Sequence, residues 1–270
     1  MSLARTSVDR ALAALDRAEI ARAIERDGYI VIEGILDPDY VARVKPALQA
    51  SIAKEDAYHG NASHPDRGMV LVCSIYGSVF LELFDNKRLV TPFDAVLGDG
   101  CIVYAYTSSS MPPGGTNYSR RIHRDCPRVI PGYPTNMGAT ILLDDFTLEN
   151  GATWIMPGSH KRKDAPSEEE FVKGSERVVA KAGSVLFFDA LLFHAGGDNK
   201  TDQWRHALTI NMCRSFMKQR LDIPRVMQDV DMTNVSDAVK QKLGFFTQVP
   251  ASYDEYYAPP EKRKYKQAVE

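Results

Sequence analysis

Arg205-His-Ala-Leu-Thr-Ile-Asn-Met-Cys213 alternates with the period of a β-strand. Successive strand residues point to opposite faces, so Arg205, Thr209 and Asn211 share one side and His206, Leu208, Ile210 and Met212 the other. A polar face backed by a mostly apolar one suits a strand that walls a polar cavity inside a barrel. Outward from it, Cys101–Thr107, Gly138–Leu143, Ala152–Met156, Val178–Ala180 and Ser184–Asp189 also read as strands. Turn residues separate them: Pro112-Pro-Gly-Gly115, Pro131-Gly132, Glu149-Asn-Gly151, Pro157-Gly158 and Gly196-Gly-Asp198. Short strands divided by polar turns argue for a β-sandwich or barrel rather than a parallel α/β sheet.

Upstream, residues 8–27 read as an amphipathic helix, with Leu12, Leu15, Ile20, Ala21 and Ile24 among charged residues. Gly28 stops it, and Gly28-Tyr-Ile-Val-Ile-Glu33 reads as a strand. Asp37 then caps a second helix with Pro38 at its first position. Residues 55–70, with His59 and His64, read as a solvated loop and a candidate lid. Residues 222–270 mix helix-like pieces with Tyr253, Tyr256 and Tyr257 and end in a charged, solvated tail. The expected organisation is one domain over 1–270: N-terminal helices and strand to 55, a β core over 100–215, and a C-terminal extension over 216–270.

The 270 residues are 44% hydrophobic and 25% charged, which fits a folded core. A net charge of -2 gives no support to nucleic-acid binding. The start of the chain carries acids and bases throughout and reads as having no secretory signal. No run of about 18 apolar residues suggests a membrane span. Cys73, Cys101, Cys126 and Cys213 are scattered and form no CxxC pair, so buried thiols in a cytoplasmic protein are expected. Cys126 reads as a bystander beside Asp125.

His123-Arg-Asp125 and the distant His194 carry the chemistry. On an extended segment His123 and Asp125 face one side, so both reach one ion while Arg124 points away. The apolar approach to His194, Phe187-Phe-Asp-Ala-Leu-Leu-Phe193, buries that imidazole, which then needs a hydrogen bond or a metal. Two histidines and a carboxylate are the ligands of a non-haem Fe(II) site with three positions left open. Arg205 suits a two-pronged bond to a small organic acid. The turn at 196–199 suggests that His194 and Arg205 lie on neighbouring antiparallel strands.

With these residues the chain resembles the phytanoyl-CoA dioxygenase family of Fe(II)/2-oxoglutarate-dependent oxygenases. The likeness rests on Gly28–Leu36, on His123-Arg-Asp125, on Asn150-Gly-Ala152 with Met156-Pro-Gly-Ser-His160, on Gly183-Ser-Val185 leading to His194, and on His194–Thr201 with Arg205. It covers roughly residues 20–215. The resemblance implies a double-stranded β-helix (a jelly-roll, cupin-like core) with N-terminal helices packed on it. It implies that His123, Asp125 and His194 bind Fe(II), that Arg205 binds the distal carboxylate of 2-oxoglutarate, and that Thr140 contacts this co-substrate. The family often has a hydroxyl residue two after the distal histidine; here that position is Gly196. His160 is expected to be structural or at the pocket rim.

The reaction so implied uses O2, converts 2-oxoglutarate to succinate and CO2, and oxidises a C–H bond. Asp125 favours hydroxylation, desaturation or ring closure, because halogenating members lack this carboxylate. The expected partner is a small polar metabolite or natural-product intermediate. Arg120, Arg121 and Arg128 suit an anionic substrate or a solvated basic loop equally. Tyr104, Tyr106, Asn117, Arg121, Trp154 and Asn211 are candidates to line the cavity, and core packing is the stronger reading for Trp154. Two other readings stay open: a cupin-like hydrolase or isomerase with another metal, and a non-catalytic barrel that only binds.

Overall fold

The computed structural model describes residues 16–60, 68–126, 128–130 and 132–263. Helix α1 (Arg17–Asp27) begins where Asp16 Oδ1 accepts from the amides of Ala18 (2.8 Å) and Glu19 (3.3 Å). It ends at Gly28, whose φ of 84° is open to glycine at little cost. The expected helix over 8–27 lies partly outside the described residues, Leu12 and Leu15 included. Strand β1 (Tyr29–Ile32) and helix α2 (Pro38–Tyr58) follow, with Pro38 at the first turn. Helix α2 runs on to Tyr58, into the stretch read as a loop; His64 lies outside the described residues. Helices α3 (Ser78–Leu81) and α4 (Lys87–Leu97) were not read from the sequence.

The strands are β2 (Ile102–Ser108), β3 (Asn136–Leu142), β4 (Trp154–Ile155), β5 (Glu176–Arg177), β6 (Val185–Asp189), β7 (His194–Ala195) and β8 (Ala207–Cys213), with helix α5 (Glu168–Gly174) before β5. They form two antiparallel sheets, a larger one ordered β1-β6-β3-β8-β2 and a smaller one ordered β5-β4-β7. This is a jelly-roll core with helical additions. The strand read at 178–180 falls instead at β5, and Ala180 keeps a single bridge to Phe146. Short helices α6 (Ile223–Val226), α7 (Asp237–Lys242) and α8 (Tyr253–Tyr256) follow the last strand. No described helix is long and apolar enough to cross a membrane.

The main core lies between the larger sheet and the helices. Ile20 and Ile24 of α1, Val44 and Leu48 of α2, and Leu89 and Phe93 of α4 join Ile141, Phe187, Leu208, Ile210 and Met212 in one cluster. Phe93 meets Phe187 edge-on, with centroids 5.4 Å apart. This packing fixes one face of β3, β6 and β8, so the other face must look into the barrel.

His194 and Arg205 are not on neighbouring strands. His194 belongs to the smaller sheet, where it pairs with Ile155. Arg205 bridges to Met111 and leads into β8 of the larger sheet. Residues 196–204 cross between the sheets instead of turning back as a hairpin. The two residues therefore stand on different sheets.

Candidate active site

The turn Tyr118–Arg120 is capped by Asn117, whose Oδ1 accepts from the Ser119 amide at 3.0 Å. Beyond it the chain extends, and His123 and His194 exchange backbone hydrogen bonds of 3.0 and 3.1 Å. The guanidinium of Arg124 lies over the Phe193 ring at 4.1 Å. His123, Asp125 and His194 each offer a ligand atom within 4.8 Å of the other two. Asp125 Oδ1 is 3.5 Å from His123 Nε2 and 3.7 Å from His194 Nε2.

The outer nitrogens are already committed. His123 Nδ1 lies 2.6 Å from the Arg121 carbonyl and His194 Nδ1 3.0 Å from the Leu192 carbonyl. A carbonyl only accepts, so each Nδ1 carries a proton and each Nε2 keeps its lone pair for the shared point. Two imidazole lone pairs and one carboxylate oxygen fit Fe(II) and leave coordination positions free. Burial would raise the Asp125 carboxyl, but the facing His123 and His194 imidazoles outweigh it and hold it below its ordinary value. Burial lowers His194, favouring the neutral, ligating form. Burial also opposes charge on His123, yet the facing Asp125 carboxylate prevails and raises it.

The strand carrying His194 is held at the residue before it. Ser159 Oγ accepts from the Phe193 amide at 2.9 Å, and the Phe193 carbonyl accepts from the Met156 amide at 3.0 Å. The same turn grips α1: Gly158 N–H donates to the Asp27 carbonyl at 2.7 Å, and His160 Nε2 lies 3.1 Å from the Glu25 carbonyl. The Pro-Gly-Ser-His segment is thus a clasp, and His160 stays out of the metal cluster.

Arg205 is 2% exposed. Its Nη1 donates to the Gly151 carbonyl at 2.7 Å and its Nη2 to the Ser109 carbonyl at 2.8 Å, with the Phe146 ring 4.1 Å from Cζ. Nε is buried with no partner among the described residues. Burial pulls the guanidinium down to about 9, against the opposing pull of Asp144. A buried cation with an unused donor fits a carboxylate-bearing ligand. Gly196 shows why no side chain stands there: a Cβ would lie 2.5 Å from Ser119 Oγ and 2.6 Å from Met111 Cε. The hydroxyl beside this position comes from Ser119.

Register places Thr140 opposite Thr209, and Thr209 opposite Thr107. Thr140 is buried, on the face of β3 opposite to that of Ala139 and Ile141. Asn211 Nδ2 donates to Asp125 Oδ2 at 3.3 Å, which moves Asn211 from a candidate substrate contact to a support for a ligand. Trp154 is corrected too. It pairs with Ala195, not His194, so strand alternation turns it to the far side of the smaller sheet, against Phe171 and Phe193 and under Arg177. Asn117 spends its amide on Ser119 and on the Ser110 carbonyl, which makes it a turn cap. Arg121 serves through its carbonyl, while its guanidinium lies over Tyr118 at 5.6 Å. Arg120 pairs with Asp198 at 3.2 Å. Tyr106 is buried on the core side, with its hydroxyl on the Phe80 carbonyl. Tyr104 borders a 190 Å³ cavity with Leu71, Leu221 and Thr107. Cys126 is buried, 3.9 Å from Thr135 Oγ1, and remains a bystander.

Thr107, Ser119, Asn136 and Ser159 were missed as contributors. Ser159 sat inside a quoted motif and Thr107 inside a predicted strand; nothing in the sequence marked Asn136.

The phytanoyl-CoA dioxygenase (PhyH) model matches residues 24–207. The Rv1501 protein of Mycobacterium tuberculosis is 30% identical over 260 residues, covering 92% of this chain and 94% of that protein. Among solved structures, EctD from S. alaskensis with 2-oxoglutarate and 5-hydroxyectoine aligns with a TM-score of 0.60 at 24% identity, covering 73% of this chain and 76% of EctD. The epimerase SnoN, in complex with Fe3+, alpha ketoglutarate and nogalamycin RO, aligns at 0.59 and 18% identity, covering 82% and 92%. These two show the shared fold. A matched span that runs from α1 through both histidines to Arg205 makes this chain a member of the phytanoyl-CoA dioxygenase family, within the Fe(II)/2-oxoglutarate-dependent class of enzymes.

Proposed function

We propose that this chain hydroxylates a C–H bond of a small polar metabolite or natural-product intermediate, with His123, Asp125 and His194 holding Fe(II). The observation that carries this reading is the pairing of two features. Three ligand atoms converge with both Nδ1 groups tied back to carbonyls, and the residue leading into β8 is a buried arginine with a spare donor. When bound, iron and 2-oxoglutarate supply the oxidising power from O2, with succinate and CO2 as co-products. Arg205 takes the distal carboxylate of the co-substrate, and Thr140 and Ser119 lie on hand to orient it.

Asp125 would occupy the metal position that a halide would need, which supports oxygen insertion over halogenation. The hydroxyl row Thr107, Thr209 and Thr140 favours a small polar substrate over a long acyl chain. The four cysteines are buried free thiols, in keeping with action in the cytoplasm. The SnoN likeness keeps a second outcome in view, since that fold also serves an epimerase.

The test is an anaerobic mixture of protein, Fe(II) and 2-oxoglutarate. A weak visible charge-transfer band is expected, lost in Asp125→Ala and weakened in Arg205→Ala. Metal binding without a band would discard the oxygenase reading in favour of a cupin-like hydrolase or isomerase.

A further inference from the structure

Asp125 divides its two oxygens. Oδ1 faces the histidine nitrogens, whereas Oδ2 accepts from Asn211 Nδ2 at 3.3 Å. Behind Asn211 stands Asn136, whose Nδ2 donates to Asn211 Oδ1 at 3.0 Å. Asn211 is 6% exposed and Asn136 2%, so both amides are fixed within the barrel wall. They sit on adjacent strands, two residues apart in register and so on the same face, with Asn136 opposite Cys213 and Gly138 opposite Asn211.

The orientations are forced from the Asp125 end. A carboxylate oxygen only accepts, so Asn211 must turn its NH2 toward it. That leaves Asn211 Oδ1 facing Asn136, which must then offer its own NH2. The result strands Asn136 Oδ1, a buried acceptor with no hydrogen-bond partner. Flipping Asn136 would not cure this without setting two acceptors face to face. An arrangement that leaves an orphan at its far end is selected by what it secures at its near end.

We propose that Asn211, locked in one amide orientation by Asn136, pins Asp125 as a one-oxygen metal ligand. This rests on the oxygenase reading above. Three protein ligands binding through one atom each would leave a six-coordinate iron room for a chelating 2-oxoglutarate and O2. Were Asp125 to bind through both oxygens, the oxygen position would be lost. Asn211 and Asn136 are positioning residues, acting on the metal only through the carboxylate.

Two near-isosteric variants separate this role from packing. Asn211→Leu removes the donor. Asn136→Asp cannot donate to Asn211 Oδ1, so the Asn211 amide turns over and sets its oxygen against Asp125. The measurement is anaerobic Co(II) and Fe(II) titration of the full chain, with the Co(II) absorption spectrum, the Fe(II)–2-oxoglutarate band and thermal unfolding of the metal-free protein. Both variants are expected to lose metal affinity by about 10- to 100-fold, the usual range for groups that orient ligands. Their Co(II) spectra should also change, and the affinity loss should exceed what any loss of folded metal-free protein accounts for. Wild-type affinity and spectra in both variants would overturn the inference. So would an affinity loss that only tracks lost folded protein. A wild type that binds no metal would overturn the proposed function and this inference together; a wild type that binds and forms the band, beside unaffected variants, would overturn this inference alone.

Discussion

Strands β3 and β8 each present two faces, and the faces obey different rules. On the helix side Met137, Ala139, Ile141, Leu208, Ile210 and Met212 are all 0% exposed and pack in one cluster. Even the polar member of that side is satisfied: His206 lies 3.1 Å from both Gln49 Nε2 and Ser110 Oγ. On the chamber side Asn136 and Arg205 each keep a buried polar atom without a partner. One backbone thus carries a finished surface and an unfinished one. Unpartnered groups are costly in a core; the Asn136 orphan follows from the amide lock on Asp125, and the spare Arg205 donor suits a ligand.

The comparison breaks most easily on the finished side. Ile210→Ala leaves a cavity among Leu208, Met212 and the helices, and is expected to cost about 2–5 kcal/mol of stability in denaturant unfolding. An equal loss from Thr209→Ala, its neighbour on the chamber face, would contradict the distinction. Next is acid. Burial, aided by Lys45 and Arg205 and opposed by Asp144, lowers His206 to about 4. The unfolded chain binds this proton from about pH 6.5, so stability is full above that value and lost as pH falls toward 4, by about 3 kcal/mol. His206→Gln should flatten that acid limb; an unchanged limb would place the acid sensitivity elsewhere.

The chamber side should respond through ligand rather than through fold. Arg205→Ala is expected to weaken 2-oxoglutarate binding about 100-fold. It should also abolish the rise in unfolding temperature that the co-substrate gives the wild type. A retained thermal shift would mean that Arg205 anchors nothing. Smallest is Thr140→Val, which keeps shape and removes one hydroxyl, for about 1 kcal/mol or a few-fold in 2-oxoglutarate affinity. Calorimetric titration resolves it, and no change would remove Thr140 from the co-substrate wall.

Much of this was legible because it is local. Alternation along Arg205–Cys213 gave the two faces of β8, and His123-Arg-Asp125 gave a histidine and a carboxylate on one side. What failed was the pairing of distant segments. The two-residue strand at His194 is defined by partners at Ile155 and His123, not by its own pattern. A short turn at 196–199 looked like a hairpin, whereas the chain crosses between sheets there. Trp154 read more strongly as core than as cavity lining, but the side it faces is set by its partner Ala195, one residue from His194. Asn211 was visible as a polar residue on the cavity face, but its tie to Asp125 spans 86 residues and leaves no trace in spacing.

The clasp at Gly158–His160 gives α1 a reach well beyond its own contacts. One end of the turn is tied to Asp27, and the other holds the Phe193 amide, next to a metal ligand. Gly28 lets the halves close, because a Cβ there would lie 2.4 Å from His160 Nδ1. Slow hydrogen exchange at the Phe193 amide is therefore a clock for undocking of the first helix, and the residence time of iron is bounded by an event that begins at the opposite surface.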